Sequence, residues 1–274
     1  MQSSNDKHPA GCWPLSLVGG IRSAMSRNPS KIAIRDSGSS RDYRQLINRI
    51  DRITSGLMKL GMNSDNHAAI IAGNSIEYVE VVGGASQAGV AVATLNPRLS
   101  TRELVAMCDD AEARLIFVDQ KNAERVRASE YASVERIIEF GSEFENWLGS
   151  SQPVESPQKI AEESVFTIPY TSGTTGRPKG VLVSHRSRVM TVYGMAAEYG
   201  CYSPDDRFLA IAPMCHGAGM VFALAALYFG GYTQLMSRFD PEAVLQALRD
   251  DEISGVFMVP THFHGISTNL NTLQ

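Results

Sequence analysis

Apolar residues between positions 43 and 60 recur at the three- and four-residue spacing of a helix face. They are Leu46, Ile47, Ile50, Ile53, Leu57, Met58 and Leu60, and Gly61, a residue type that commonly ends helices, follows them. Elsewhere in the first half, short apolar runs of strand length occupy residues 31–35, 68–72, 90–95, 115–119 and 134–140. The pattern therefore predicts a helix over 43–60 among five strands. Further helices are predicted over 15–26, from the cap residue Ser75 to about 88, and from the capping box of Ser100 and Glu103.

The second half repeats this alternation of strand-like and helix-like segments. Strands are predicted over 165–170, 180–184, 208–211, 232–236 and 255–259, and helices over 185–198, 217–228 and 241–250. The last of these helices has a clear start signal, because Asp240 can cap it and Pro241 occupies its first position. Residue 260 begins a further element, and we expect the chain to end inside a domain.

Strands separated by helical stretches are typical of βαβ units, whose strands lie parallel in one sheet and whose crossovers are right-handed. The predicted fold class is α/β, with two successive layers of mainly parallel sheet. The clearest linker is 149–157, with the sequence GSSQPVESP. We therefore expect an N-terminal α/β part over 1–150 and a second α/β part over 151–274.

Composition excludes several classes of function. The sequence has 25 Lys and Arg against 29 Asp and Glu, a formal net charge of −4, so it lacks the basic excess that suits nucleic acid. No apolar run approaches the roughly 18 residues of a membrane span, and 220–229 predicts a buried helix. Residues 1–10 lack the apolar stretch of a signal peptide. None of the four cysteines forms a Cys-x-x-Cys pair, which argues against zinc or a disulfide framework and favours the cytoplasm.

Residues 170–180 carry the strongest chemical signal, with the sequence YTSGTTGRPKG. Four Ser and Thr hydroxyls, three glycines, an arginine and a lysine fall within this one turn. Glycines let backbone N–H groups approach a ligand closely, hydroxyls donate to phosphate oxygens, and lysine supplies a positive charge. An exposed hairpin turn is the alternative, which Gly-Thr-Thr-Gly alone would not exclude. The whole segment predicts a loop that holds a polyphosphate.

This loop differs from a Walker A loop, which requires G-x-x-x-x-G-K-[ST], because Pro178 stands where the second glycine would be. A strand pattern over 181–183 follows the loop, where a Walker A loop has a helix. Phosphate contacts must therefore come from the loop's own N–H groups, its hydroxyls and Lys179, without a helix N-terminus. The pattern thus disfavours a nucleotide kinase or P-loop ATPase.

The segment 170–180 resembles, along its whole length, the phosphate loop of the adenylate-forming (AMP-binding) superfamily. The resemblance extends to Asp42–Tyr43, to 95–98 (LNPR), to 183–185 (VSH) and to 212–217 (APMCHG). The runs LNPRLS and PMCHGAG are similar to the acyl-CoA synthetase and aryl-CoA ligase branch. The resemblance implies that a carboxylic acid attacks ATP to give an acyl-adenylate and pyrophosphate. A thiol, usually of coenzyme A, then takes the acyl group, and Mg²⁺ assists the first step.

The resemblance also implies roles for individual residues. The triphosphate would be held by Thr171, Ser172, Gly173, Thr174, Thr175, Gly176 and Lys179. Lys179 would also be the catalytic residue, and the Thr171 oxygen would contact Mg²⁺. His216 matches a position that lines the acyl pocket near the reacting carboxylate. Gly217 and Met220 would line the same pocket, where a small residue leaves room and methionine packs against an apolar group. A fatty or aromatic acid is therefore the expected substrate.

Several segments that the resemblance calls for do not occur in the 274 residues. They are a Tyr-Gly-x-Thr-Glu segment whose Glu helps to bind Mg²⁺, a later Asp for the ribose, and a C-terminal lid with a Lys. The stretch 193–198 is only superficially similar to the first of these. We therefore interpret the chain as the N-terminal part of a ligase, weakly active or inactive alone. The alternative is a non-catalytic remnant that binds nucleotide, an acyl group or a protein partner. Exposed apolar surface is expected to promote formation of a homo-oligomer.

Other reactive residues give weaker evidence for a catalytic or metal site. Cys215 and His216 are adjacent, and neighbours on a strand point to opposite faces, which argues against a catalytic dyad. His262 and His264 could face one way, but further metal ligands are not evident. Arg98 is interpreted as solvated or paired with an acid, and His185 as the neighbour of a helix cap.

Overall fold

The computed structural model describes residues 15–155, 159–171 and 178–272, with backbone only from residue 269. Its helices are α1 (Leu17–Arg27), α2 (Tyr43–Lys59), α3 (Ile76–Ala88), α4 (Thr101–Asp110), α5 (Gln120–Arg127), α6 (Ser142–Gly149), α7 (His185–Tyr199), α8 (Gly217–Phe229), α9 (Pro241–Asp250) and α10 (Pro260–Thr272). Its strands are β1 (Ile32–Arg35), β2 (Ser40–Asp42), β3 (His67–Ile71), β4 (Ala91–Leu95), β5 (Ala113–Val118), β6 (Arg136–Glu139), β7 (Val165–Thr171), β8 (Lys179–Gly180), β9 (Val183–Ser184), β10 (Arg207–Ala210), β11 (Tyr232–Leu235) and β12 (Gly255–Val256).

The helix-start signals in the sequence are confirmed. Ser100 and Glu103 form a capping box at α4, and Ser75 accepts a hydrogen bond from the Tyr78 N–H at the start of α3. Asp240 caps α9 with Pro241 in the first turn. Such caps satisfy N–H groups that have no partner inside the helix. The local chemistry thus sets where these helices begin.

The described strands form two sheets. One has the order β12-β10-β11-β1-β2 and is parallel except for the β1–β2 pair. The other has the order β6-β5-β3-β4-β7-β8, with β9 also paired to β7. Its strands are parallel from β6 to β7, whereas β8 and β9 pair antiparallel with β7. The prediction of an α/β fold with mainly parallel sheets is confirmed.

Each sheet takes strands from both sides of residue 150. Strands β1 and β2 join β10–β12 in one sheet, and β7–β9 join β3–β6 in the other. The Tyr43 hydroxyl, at the start of α2, lies 3.1 Å from the Leu227 carbonyl and 2.8 Å from the Gly231 carbonyl, which ties the early chain to the end of α8. The division into parts 1–150 and 151–274 stays a prediction.

Buried residues of α2 and α3 belong to the largest core cluster, which also includes buried residues of α1, α8 and both sheets. A Cβ placed on Gly84 of α3 would lie 2.3 Å from Cγ2 of Ile53 on α2, and one on Gly83 would lie 2.7 Å from the Ile50 side chain. These two glycines therefore permit the close packing of α3 against α2.

Some predicted elements differ from the structure. The strand predicted over 180–184 is two short strands, β8 and β9, and the one over 255–259 is only β12. Helices α5 and α6 escaped prediction because each has only eight residues, too few for a periodic apolar stripe. Of the predicted linker 149–157, Gly149 is the last residue of α6, and 150–155 form no helix or strand.

Cys108, Cys201 and Cys215 are free thiols, while Cys12 lies outside the described residues. Along the described ranges no helix is both long enough and apolar enough to cross a membrane.

Candidate functional site

The base of the hairpin that carries the glycine- and threonine-rich loop is formed by β7 and β8. These strands pair antiparallel, with Tyr170 opposite Gly180 and Thr171 opposite Lys179. Both Thr171 and Lys179 are exposed. The other predicted phosphate-binding residues, Ser172, Gly173, Thr174, Thr175 and Gly176, lie outside the described residues. The structure therefore brings Thr171 and Lys179 together at the base of the loop.

Neighbouring contacts hold this hairpin base in place. The Tyr170 hydroxyl donates to Asp110 Oδ2 on α4, at 2.6 Å, and lies 3.1 Å from the Met107 carbonyl. Burial, with a smaller contribution from Asp110, raises the pKa of Tyr170, so its hydroxyl keeps its proton. A Cβ on Gly180 would lie 2.8 Å from Cγ2 of Ile168. Glycine is thus the residue that fits this close approach of β8 to β7.

A cavity of about 390 Å³ opens at the carboxyl ends of the parallel strands. Its lining comes from the residues that follow β3 (72–74), β4 (96–98), β10 (211–216) and β11 (237–239), and from the first turns of α10. Because β7 runs parallel to β4, the hairpin leaves its sheet at the same edge as the 96–98 segment. Ligands of open α/β sheets bind at this edge.

The cavity lining is rich in basic side chains. Arg98, Arg238, His216 and His262 contribute to it, and none of its described lining residues is Asp or Glu. Nearby apolar lining comes from Ile211 and Phe239. An anionic ligand with an apolar part is the chemistry that such a lining would accommodate.

The turn that carries His216 is fixed by two buried side chains from the other sheet. The Asn74 amide nitrogen donates to the Ala212 carbonyl at 3.0 Å, and its oxygen accepts from the Met214 N–H at 2.8 Å. The Thr94 hydroxyl donates to the Cys215 carbonyl at 3.1 Å. Asn74 is 5% exposed and Thr94 is 2% exposed. Since these bonds are shielded from water, they hold the backbone next to His216 firmly.

The residues predicted to line the acyl pocket take different places. His216 is exposed, precedes α8 as its N-cap and lines the cavity. Gly217 begins α8 outside the cavity lining, and a Cβ built there would meet no atom of the described residues within 4 Å. Met220 is 1% exposed and belongs to the main core cluster. Roles for Gly217 and Met220 in acid binding stay predictions.

Cys215 and His216 lie in a turn and not on a strand, with Cys215 buried and His216 exposed. Burial raises the pKa of the Cys215 thiol to about 11, so it stays protonated at neutral pH. No group of three or more His, Cys, Asp or Glu in the described part of the chain could hold a metal.

Sequence reasoning missed three contributors to this site. Arg98 and Arg238 line the cavity, and Asn74 supports its His216 turn. His262 also lines the cavity, where its ring packs 4.6 Å from that of Phe239 and its Nδ1 accepts from the Val259 N–H. The signal that could have found Asn74, Arg98 and Arg238 is their position directly after parallel strands, because such positions converge on one edge.

Curated relatives of the chain are named as acyl-CoA synthases and CoA ligases. The chain is 32% identical over 261 residues to a feruloyl-CoA synthase from an Amycolatopsis species, a match over 94% of this chain and 50% of that protein. It is 27% identical over 241 residues to a 2-succinylbenzoate–CoA ligase from Bacillus licheniformis, over 88% of this chain and 49% of that one. The chain therefore spans about half the length of the curated relatives it matches.

Solved structures share the fold. The inhibitor-bound N-terminal domain of FACL13 from Mycobacterium tuberculosis matches with a TM-score of 0.86 at 22% identity, over 92% of this chain and 64% of that one. A long-chain-fatty-acid-CoA ligase (FadD1) from Archaeoglobus fulgidus matches with a TM-score of 0.87 at 23% identity, over 97% of this chain and 57% of that one.

A sequence model described as AMP-binding enzyme matches residues 21–274. This match takes in the hairpin of Thr171 and Lys179, the His216 turn and every strand that borders the cavity. The resemblance drawn from the loop and its companion segments is thereby confirmed: the chain belongs to the AMP-binding enzyme family.

Proposed function

We propose that the whole protein is an ATP-dependent carboxylate–CoA ligase that acts on a fatty or aromatic acid. The observation that carries the proposal is the cavity at the strand ends, which presents Arg98, Arg238 and two histidines without a carboxylate among its described lining residues. Two anions, a triphosphate and a carboxylate, must meet for an acyl-adenylate to form. A basic cavity beside a glycine-rich hairpin supports that encounter.

In the proposed first step, an acid oxygen bonds to the α-phosphorus of ATP, the bond from that phosphorus to its bridging oxygen breaks, and pyrophosphate leaves. Residues 172–176 would donate N–H and hydroxyl groups to the triphosphate, and Lys179 would neutralise charge on the phosphoryl oxygens. Phosphoryl chemistry depends mainly on such positioning and charge stabilisation. In the second step, the coenzyme A thiol takes the acyl group and AMP leaves.

His216 would act on the acid. Its turn is held by Asn74 and Thr94, so the imidazole is presented at the cavity from a fixed backbone. We propose that it orients the reacting carboxylate by a hydrogen bond. The apolar lining residues Ile211 and Phe239 support an acid with a hydrocarbon or aromatic body, and the names of the relatives include both kinds of acid.

The described residues could contact Mg²⁺ only when the ion is bound to the phosphates of ATP. They contain no carboxylate cluster for a metal, but the exposed Thr171 offers a hydroxyl at the hairpin base. Mg²⁺ in such sites is bound largely by substrate phosphates and water. When bound, the ion would supply charge neutralisation at the phosphates. We also propose a cytoplasmic location, where ATP and coenzyme A are available.

For the 274-residue chain taken alone, a second candidate function is non-catalytic binding of nucleotide, an acyl group or a protein partner. The observation that favours it is the coverage of only about half of the relatives' length. Both candidates share the hairpin and the cavity, so binding of ATP does not separate them, whereas turnover does.

Release of pyrophosphate on mixing with ATP, Mg²⁺ and a panel of fatty and aromatic acids tests the proposal. The 274-residue chain and the full-length protein are assayed side by side. We expect acid-dependent release from the full-length protein and little from the chain alone. Turnover by the chain alone would refute the non-catalytic candidate. Full-length protein that binds ATP but releases no pyrophosphate with any acid would refute the ligase proposal.

A further inference from the structure

A second cavity, of about 570 Å³, lies beside α1 and away from the strand ends. Its described lining comes from α1 and the two residues before it, from the last turns of α3 and α8, from Tyr193 of α7 and from Ile160. None of these residues lines the basic cavity that contains His216. The volume falls within the range of roughly 300–1,000 Å³ that is typical of small-molecule sites. We refer to this separate candidate site as the α1 cavity.

One wall of the α1 cavity is aromatic. The rings of Tyr193, Tyr228 and Phe229 pack edge to face in pairs, with centroid distances of 5.6, 5.4 and 5.2 Å. Tyr193 is 45% exposed, so part of this wall is open to a ligand. Burial raises the pKa of Tyr228, so its hydroxyl stays neutral at pH 7 and does not repel an anion. A flat apolar group would pack on this wall.

The opposite wall is the face of α1, which carries small residues. They are Ser16, Gly19, Gly20, Ser23 and Ser26. A Cβ on Gly20 would lie 2.3 Å from Cδ2 of Tyr228, so glycine lets the Tyr228 ring pack directly on α1. The lining runs from residue 16 to residue 27, roughly 16 Å at the 1.5 Å rise of a helix. This length accommodates an elongated molecule.

A positive charge lies at one end of the α1 cavity. Arg22 and Arg27 belong to its lining, and the described lining residues include no Asp or Glu. Arg22 pairs with Asp51, so its charge is compensated. Arg27 is exposed and donates to two neutral acceptors, Ser23 Oγ at 2.7 Å and the Phe229 carbonyl at 3.2 Å. Its charge is therefore available to an anionic group.

The charge and the aromatic wall are adjacent, because Arg27 contacts the backbone of Phe229, whose ring lies 5.4 Å from that of Tyr193. We propose that the α1 cavity binds an amphipathic anion, with its flat apolar body on Tyr193 and its anionic group on Arg27. The lining includes no residue of the hairpin or of the His216 turn. The ligand would therefore be bound without being turned over, and the proposal goes beyond the ligase reaction.

Fluorescence titration of the 274-residue chain with two probes of similar shape tests the proposal. Anilinonaphthalene sulfonate is anionic, and phenylnaphthylamine has the same aromatic body without the sulfonate. The variants are Arg27→Met and Tyr193→Ala, with Arg102→Met as the control, because Arg102 is exposed on α4 and outside the cavity lining. We expect the wild type and Arg102→Met to bind the sulfonate about tenfold or more tightly than the neutral probe. Arg27→Met should lose that preference, and Tyr193→Ala should weaken both probes by about threefold or more.

Equal binding of the two probes by the wild type would overturn the proposal, as would a preference that persists in Arg27→Met. The basic cavity is a competing site for an anion, so Arg98→Met is titrated as well. Loss of the preference in Arg98→Met but not in Arg27→Met would assign the sulfonate to the basic cavity and overturn the proposal.

The titration is repeated at a higher protein concentration, with the oligomeric state measured by size-exclusion chromatography. Weaker probe binding together with dimer formation would assign the α1 cavity to a second copy of the chain, and would also overturn the proposal. If Arg27→Met fails to fold, Arg27→Gln provides the same comparison. Pyrophosphate release by the full-length protein is scored separately, so failure of the ligase proposal remains distinguishable from failure of this one.

Discussion

At the residue scale, the support of the His216 turn depends on Asn74. Its side chain makes two buried hydrogen bonds to the backbone of 212–214. Replacement by alanine leaves a buried carbonyl and a buried N–H without partners, each of which costs about 1–3 kcal/mol. Sequence reasoning predicted His216 from the 212–217 segment. It missed Asn74, because an Asn that follows a strand has the same local signature as a turn residue.

We predict that Asn74→Ala lowers the free energy of unfolding by about 2 kcal/mol or more, measured by urea denaturation. Asn48→Ala is the matched control, because Asn48 is exposed on α2 and accepts a hydrogen bond only from the Arg52 side chain among the described contacts. The control should change stability by less than about 0.5 kcal/mol. Equal effects of the two substitutions would contradict the role given to Asn74.

His185 makes the stability of the protein depend on pH. Burial lowers its pKa to about 4 in the folded chain, below the ordinary 6.5, so the unfolded chain binds the proton more readily. Stability from this residue is therefore fully present above pH 6.5 and is lost as the pH falls towards 4. We predict that protonation of His185 lowers the free energy of unfolding of the wild type by roughly 2–3 kcal/mol between pH 7 and pH 4. His185→Phe should lack this contribution.

Urea denaturation of the wild type and His185→Phe at several pH values in that range measures the difference. His264→Gln serves as the control, because His264 is exposed on α10 and its substitution should leave the slope unchanged. The assignment would fail if the His185→Phe protein lost stability with falling pH as steeply as the wild type.

At the scale of elements, the close approach of α2 and α3 requires a glycine. A Cβ on Gly84 would lie 2.3 Å from Cγ2 of Ile53, whereas a Cβ on Gly194, inside α7, would meet no atom within 4 Å in the part of the chain that the structure describes. Both residues lie in helix interiors. Helix propensity alone would favour alanine at both positions by about 1 kcal/mol. At Gly84, packing therefore decides whether alanine stabilises or destabilises the protein.

We predict opposite effects for the two matched substitutions. Gly84→Ala should lower the free energy of unfolding by about 1–3 kcal/mol because it overpacks the α2–α3 contact. Gly194→Ala should raise the free energy by about 0.5–1 kcal/mol. Thermal or urea unfolding of both variants measures the changes, and a stabilising Gly84→Ala would show that the helices can separate without cost.

The elements found from the sequence are those with a strong local cause. Helix α2 has its apolar stripe and the capping box of Asp42 and Gln45, and α9 has Asp240 and Pro241. The segment 215–216, expected to follow strand geometry, is a turn because Asn74 and Thr94 bind its backbone from distant parts of the chain. Contacts between residues so far apart in sequence leave no local pattern to read.

At the scale of the whole molecule, the sequence predicts the fold class but not the strand order. Alternating strands and helices imply parallel sheets, and both sheets are mainly parallel. The pairing of β1 with β11, nearly 200 positions apart along the chain, depends on tertiary packing. The same tertiary packing brings Arg98 and Arg238 to one cavity. The sequence alone therefore identifies only part of this site, namely the glycine-rich loop of 170–180 and His216.

The central claim is that the hairpin of residues 170–180 holds the triphosphate of ATP. Calorimetric titration of the chain with MgATP tests it most directly, comparing the wild type with Lys179→Ala and with Lys59→Ala as the control. Lys59 is exposed and donates to the Ser150 carbonyl, at 2.9 Å. We predict that Lys179→Ala weakens binding by about tenfold or more, since a charge-assisted contact to phosphate is lost. The control should bind as the wild type does. Unchanged ATP affinity in Lys179→Ala would contradict the account.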